Sequence, residues 1–404
     1  MAVVSYRTFV LAQEPYQAMP TADKEGYALS RVAEKLHCRL SDGAIDPVSE
    51  SAIRIFVKGH PPSTYRRFKS ERGSASHMVT ALFQSAEAVG AFSTREGEFY
   101  VVGILDGLIK SFDEMAAFAF STPEFLPWLG DASKVSCQPD ESANPPVGLR
   151  WKYPKYPDAS YVPAPNCEFR REGARCLASL MALFVLFHEA GHIREGHCDY
   201  FGLNRENPVV TDMMMDVLAE VLSDKFVVGV LENGTEFEAD DFAYISFFSD
   251  LSIKNVKREF TQLNLSYSQW VELAASAVAL FHCLLCFLED WSPQRGEFRS
   301  HPFSACRARR FISEVRSGRL TGFNRNDAEV EQGIENGILA ADALARKHLS
   351  FRVLGNVIQE NHEYCNEIYS LNTDTKSYIE SQLSSFRISE PNSLLAWIWA
   401  RILR

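Results

Sequence analysis

Apolar and polar positions recur along this chain with two different periods. "AIRIFVK" at 52–58 alternates as a half-buried strand does, whereas "SHMVTALFQSAEAVGAF" at 76–92 has helical spacing. "GEFYVVGILDGLIKSFDEM" at 97–115 reads as a strand to about Leu105, a turn at Asp106–Gly107, and then a helix. Residues 136–166 are rich in Pro, Ser, Asn and Asp and predict a long irregular loop. From Asn166 the pattern is mostly helical. Asn166 can cap a helix ending near Gly196, which serves as its C′ residue. Further helices are expected at about 211–232, 236–256, 267–290, 303–317, 327–348 and 355–386. No internal repeat or low-complexity segment interrupts the series. The pattern predicts an α+β fold, predominantly helical with a small N-terminal sheet. It divides the chain into a mixed part over 1–165, a helical part over 166–320 and a C-terminal helical extension over 321–404.

Composition narrows the class without naming a function. With 46% hydrophobic and 23% charged residues, the 404-residue chain has an ordinary globular make-up. A net charge of −11 argues against nucleic acid as a partner, and "RRF" at 66–68 or "RARR" at 307–310 is too short to reverse that. Nine scattered cysteines, an odd number, suit free thiols in a reducing compartment. Cys283 and Cys286 form a C-x-x-C inside "ALFHCLLCFLEDW", where they read as small core residues. "MAVVSYRTFVLAQEP" lacks the basic and apolar regions of a signal peptide. The longest apolar run, Leu273–Leu288, falls short of the roughly 20 residues that cross a bilayer. A cytoplasmic location with no membrane span is the expectation. The C-terminal "LLAWIWARILR" is amphipathic and is expected to pack on its own core.

The chemistry concentrates in "LMALFVLFHEAGHIREGHCDYFG" at 180–202. An apolar helix ends in His188, Glu189 and His192, titratable groups that are costly to bury unless partners satisfy them. Residues four apart share a helix face, so His188 and His192 can reach one metal ion. Imidazole suits zinc, and a catalytic site adds a third protein ligand while leaving a position for water. Glu189 would lie beside that position as general base. The bland alternative is a helix end whose histidines bond to backbone carbonyls. Cys198 stands where a third histidine would give the metzincin spacing. His197, one residue short of it, reads as a residue beside the site or at the surface.

Two acidic pairs compete for the third ligand. In "MMMDVLAEVLSDKFVVGVL", Glu220 and Asp224 are four apart in an apolar segment. Glu220 would complete the site and Asp224 would accept the free N–H of a ligand imidazole. Glu236 and Asp240 in "NGTEFEADDF" have the same spacing. There Asn233–Gly234 marks a turn, and Thr235 with Glu238 reads as a capping box. Glu220 is favoured over Glu236, because its apolar setting makes an unpaired carboxylate costlier.

Together "HEAGH" and "AEVLSD" resemble the HExxH plus E-x-x-x-D arrangement of the gluzincin class, thermolysin-like and HtpX-like zinc peptidases. "SHPFSACRARRF" is similar to the H-P-x-x-x-x-R element of the HtpX and CAAX-protease families. That resemblance implies an oxyanion role for His301, and it matches Arg307 to the element's arginine. "FYVVGILDGLI" looks like the edge strand that pairs with an extended substrate in such peptidases. The motifs fall within about 99–315, and Ser223 stands where the usual A-D ending has alanine. A weaker resemblance is to the Lit-type phage-exclusion peptidases. The resemblance implies a zincin-like core, a Zn2+ cofactor and a protein or peptide substrate. The rival classes are a zinc-stabilised interaction protein without catalysis and a zinc hydrolase of a non-peptide amide. An edge strand at Phe99–Leu105 would favour a peptide, and a closed pocket the small molecule.

Overall fold

A computed structural model describes residues 21–35, 38–40, 46–59, 77–84, 90–97, 99–139, 161–199, 209–211, 225–291, 304–316 and 328–348, with isolated positions between 356 and 370. In chain order the elements are α1 (Thr21–Lys35), β1 (Arg39–Leu40), α2 (Pro47–Gly59), β2 (His77–Gln84), β3 (Ala91–Glu96), β4 (Phe99–Leu105) and α3 (Asp106–Ser121). They continue with β5 (Val135–Pro139), β6 (Tyr161–Pro165), α4 (Glu168–Arg194), β7 (Val209–Thr211), α5 (Lys225–Phe247) and α6 (Asp250–Glu259). Then follow α7 (Tyr267–Trp291), α8 (Ser304–Arg316) and α9 (Ala328–His348). The α+β class is as expected: a mostly helical fold with one small mixed sheet.

That sheet has the order β1-β2-β4-β3-β7, with β2 and β4 parallel and the other pairs antiparallel. Its two faces explain the near-continuous apolar run of β4. Tyr100, Val102 and Ile104 join the main core on the side of α4, while Val101 and Leu105 join a smaller cluster with Leu29 and Val32 of α1. A strand covered on both faces needs apolar residues at every position. Gly103 is required because a Cβ there would lie 2.2 Å from the Phe92 ring.

The structure corrects several sequence readings. β4 is an interior strand hydrogen-bonded to β2 and β3, not an edge, so its backbone has no free side for an extended peptide. Residues 52–58 are helical: Ala52, Ile55 and Phe56 are buried three and four apart. Asp46 accepts the N–H of Ser49 at 2.9 Å to start that helix. The 76–92 stretch forms β2 and the start of β3. It places Ala81 and Phe83 on the face of α1, with Met78 and Leu82 packed against the main core. Within 136–166, β5 and β6 pair antiparallel.

The main core gathers around α4, whose residues from Cys176 to Ile193 are all buried. α4 and α7, the latter over Tyr267–Cys286, are long and apolar enough to cross a membrane; 100% and 89% of their apolar windows are buried inside the fold. Cys283 and Cys286 are core residues of α7, and both are free thiols. Residues 394–404 lie outside the described set.

Candidate metal centre

Helix α4 carries His188, Glu189 and His192 in its last two turns, each only 1% exposed. Its N-cap is Cys167, one residue beyond the expected Asn166. Gly196 ends the helix with φ +81, the left-handed conformation that glycine adopts without strain. The chain then turns inward. Asp199 accepts hydrogen bonds from Tyr100 Oη and Arg95 Nη1, both at 2.5 Å, which ties the turn to the sheet. His197 and Cys198 between them are fully buried. His197 Nδ1 lies 2.9 Å from His192 Nδ1, and its Nε2 lies 3.1 Å from Glu238 Oε2. Burial pushes the His197 imidazole down to about 4, against the opposing pull of Glu238.

Among the described residues, the carboxylate that stands beside the two histidines is Glu236, the member of the rival acidic pair, and the three could hold a metal ion. Glu220 and Asp224 lie outside the described residues. Expected as a turn and a capping box, 233–238 instead lie inside the continuous helix α5, and the helix break falls at Ser249, which caps α6. Glu236 and Asp240 therefore share a face, four residues apart. Gly191 allows α5 to cross α4 closely, since a Cβ on it would stand 2.9 Å from Ala239 Cα. The crossing sets Glu236 over the histidine pair.

His188 Nε2, His192 Nε2 and the Glu236 carboxylate form a compact triangle. The histidine nitrogens are 3.1 Å apart, Glu236 Oε2 is 3.2 Å from His188 Nε2, and Oε1 is 3.3 Å from His192 Nε2. Three ligands about 2.0–2.1 Å from a tetrahedral zinc stand roughly 3.3–3.4 Å from one another. The hydrogen-bonding pattern is compatible with the same ion. Asp240 Oδ1 lies 3.0 Å from His188 Nδ1 and, being a carboxylate, accepts its proton. A neutral His188 then turns the lone pair of Nε2 toward the Glu236 carboxylate. Two acceptors facing each other at that distance are reconciled by a metal ion between them or by a proton on the imidazole. The buried group fits a metal ion.

Arg307, on α8, closes the site from the other side. Its Nε and Nη2 each donate at 2.8 Å to the two oxygens of Asp240, and Nη1 is 3.5 Å from Glu236 Oε2. Burial alone would raise the Asp240 pKa; the charge of Arg307 and the bond from His188 override it and hold the carboxyl well below its usual range. Arg310 makes a second fork to Asp241, at 2.8 and 2.6 Å. Together the two forks hold α8 against α5. Glu189, Glu236, Asp240 and Arg307 are all buried beside the two histidines. A divalent cation would offset the carboxylate charge gathered there, since an uncompensated buried charge is costly.

His301 lies outside the described residues. Sequence reasoning missed how the turn after α4 is fastened: Arg95 and Tyr100 are ordinary strand residues, and nothing in the sequence links them to Asp199. It also gave His282 no role. That residue is fully buried on α7, its Nε2 3.0 Å from Tyr244 Oη, among the rings of Phe184, Phe281 and Phe311. No protein-family model, curated protein or solved structure matches this chain.

Proposed function

We propose that the chain is a zinc-dependent hydrolase of amide bonds, a peptidase whose metal ligands are His188, His192 and Glu236. The observation supporting this reading is the triangle of three buried donor atoms with Glu189 on the same helix end, one residue from His188. Zinc in that triangle supplies Lewis acidity, polarising a scissile carbonyl and lowering the pKa of water toward neutrality. Glu189 takes the proton of the attacking water and passes it to the leaving amine. Asp240 holds His188 with Nε2 bare, and Arg307 keeps Asp240 ionised. From the HtpX-like motif, His301 is assigned to hydrogen-bonding the developing oxyanion.

The peptide as substrate rests on the motif resemblance alone, because β4 offers no edge. Burial of all four central side chains favours a second reading, a hydrolase acting on a small non-peptide amide. One comparison decides. Zinc content is measured on purified protein, and the wild type and Glu189→Gln are each incubated with cell extract and with small acyl amides. A peptidase generates new protein N-termini that Glu189→Gln generates about 10²–10⁴-fold more slowly at equal zinc content. Cleavage of acyl amides alone supports the second reading. Bound zinc with no difference between the two proteins leaves a non-catalytic metal protein, and bound iron in place of zinc removes the hydrolase proposal.

A further inference from the structure

We infer that His197 and Glu238 are positioning residues for the metal, acting as a relay that fixes His192 in its ligating tautomer. The inference rests on the metal reading above and adds residues that the H-E-x-x-H pattern does not contain. Glu238, with its side chain 23% exposed, presents Oε2 to His197 Nε2 at 3.1 Å. A carboxylate only accepts, so His197 Nε2 carries the proton. A neutral imidazole then has a bare lone pair on Nδ1, which faces His192 Nδ1 at 2.9 Å. That contact is a hydrogen bond only if His192 Nδ1 donates. His192 Nε2 is thereby left bare, directed at His188 Nε2 and Glu236.

Each ligand histidine thus has a carboxylate behind it. His188 meets Asp240 directly, and His192 meets Glu238 through one intervening imidazole. Both carboxylates and the ligand Glu236 lie on α5, so a single helix supplies a ligand and the orientation of two others. The intervening imidazole is needed because His192 lies a turn closer to the end of α4, where the chain folds back at Gly196 and brings His197 between it and α5. Asp199, tied to Tyr100 and Arg95, sets the position of that turn. The role also accounts for a fully buried histidine directly after a helix end, a place where water would ordinarily solvate it.

The test measures zinc affinity, which needs no substrate. The full chain is stripped of metal and titrated with zinc against a chelating dye. His197→Phe removes the acceptor for His192 Nδ1 and should raise the dissociation constant about 10–100-fold. Glu238→Ala, at the rim, should raise it by about tenfold, with Glu238→Gln in between because an acceptor oxygen remains without the charge. In the cobalt-substituted protein, Glu238→Ala should also shift the visible absorption bands, since the donor strength of His192 changes. If Glu238→Ala and a folded His197→Phe bind zinc within twofold of wild type, with unshifted cobalt bands, the relay is overturned and the metal centre stands. Should His197→Phe fail to fold, Glu238→Ala alone decides. A wild type that takes up no zinc overturns both readings.

Discussion

At the scale of the residue, the site is a problem of lone pairs. His188 and Asp240 lie 3.0 Å apart, and that contact turns the other face of the imidazole into an acceptor pointed at Glu236. Removing the Glu236 carboxylate leaves two histidines and takes one negative charge from the balance. Glu236→Ala is therefore expected to lose nearly all zinc, whereas Glu220→Ala should retain it, each read by metal analysis after dialysis. The opposite result would return the third ligand to the pair that the sequence favoured. His188, Glu189 and His192 were legible from spacing, since a four-residue repeat on an apolar helix has few other uses. The choice between Glu220 and Glu236 was not. The preference for Glu220 rested on its apolar setting, while Asn233 and Gly234, weak helix formers that together cost on the order of 1–2 kcal/mol inside a helix, marked a turn before Glu236. The structure nevertheless carries α5 straight through them.

At the scale of the element, the centre depends on two helices crossing at Gly191. A Cβ on that residue would stand 2.9 Å from Ala239 Cα and 3.0 Å from Ala239 O, backbone atoms that cannot rotate aside. Gly191→Ala must therefore push α5 away from α4. It should destabilise by about 1–3 kcal/mol through overpacking, despite alanine's better helix propensity. Because Glu236 rides on α5, zinc affinity should fall along with stability. A variant as stable as wild type in urea, with unchanged affinity, would show that the helices meet elsewhere. The small residue between Glu189 and His192 can be read off the sequence, but its partner cannot, since the crossing point of two helices follows from tertiary packing. The same limit explains the exchange of helix and strand before residue 92. Short apolar stretches fit either period, and α4 above α2 and the sheet above β2 decided which face each segment buried. The helices α4, α7, α8 and α9 were legible because their apolar faces persist through several turns.

At the scale of the whole molecule, two of the buried histidines, His197 and His282, resist protonation that the unfolded chain would accept. Burial pushes His282 down to about 3, the nearby Asp240 opposing the shift and Arg307 and His188 adding to it; His197 is pushed to about 4. An unfolded histidine titrates near 6.5, so below that pH the unfolded state binds more protons than the native one. Stability from these groups is complete above about 6.5 and is lost as pH falls from there toward about 4 and then 3. Each such proton adds up to about 1.4 kcal/mol per pH unit to the slope. His282→Phe isolates one of them, because the residue touches Tyr244 rather than a ligand. The variant loses the hydrogen bond shared with Tyr244, a penalty that is the same at every pH and lowers the whole curve. Its slope between pH 6 and pH 4 should nevertheless be shallower than that of wild type by about one proton's worth. Urea unfolding of the zinc-free proteins across that range measures both slopes, with metal release removed as a cause. Parallel curves would mean that His282 is already protonated in the native state, and that its buried ring does not set the acid limit of this fold.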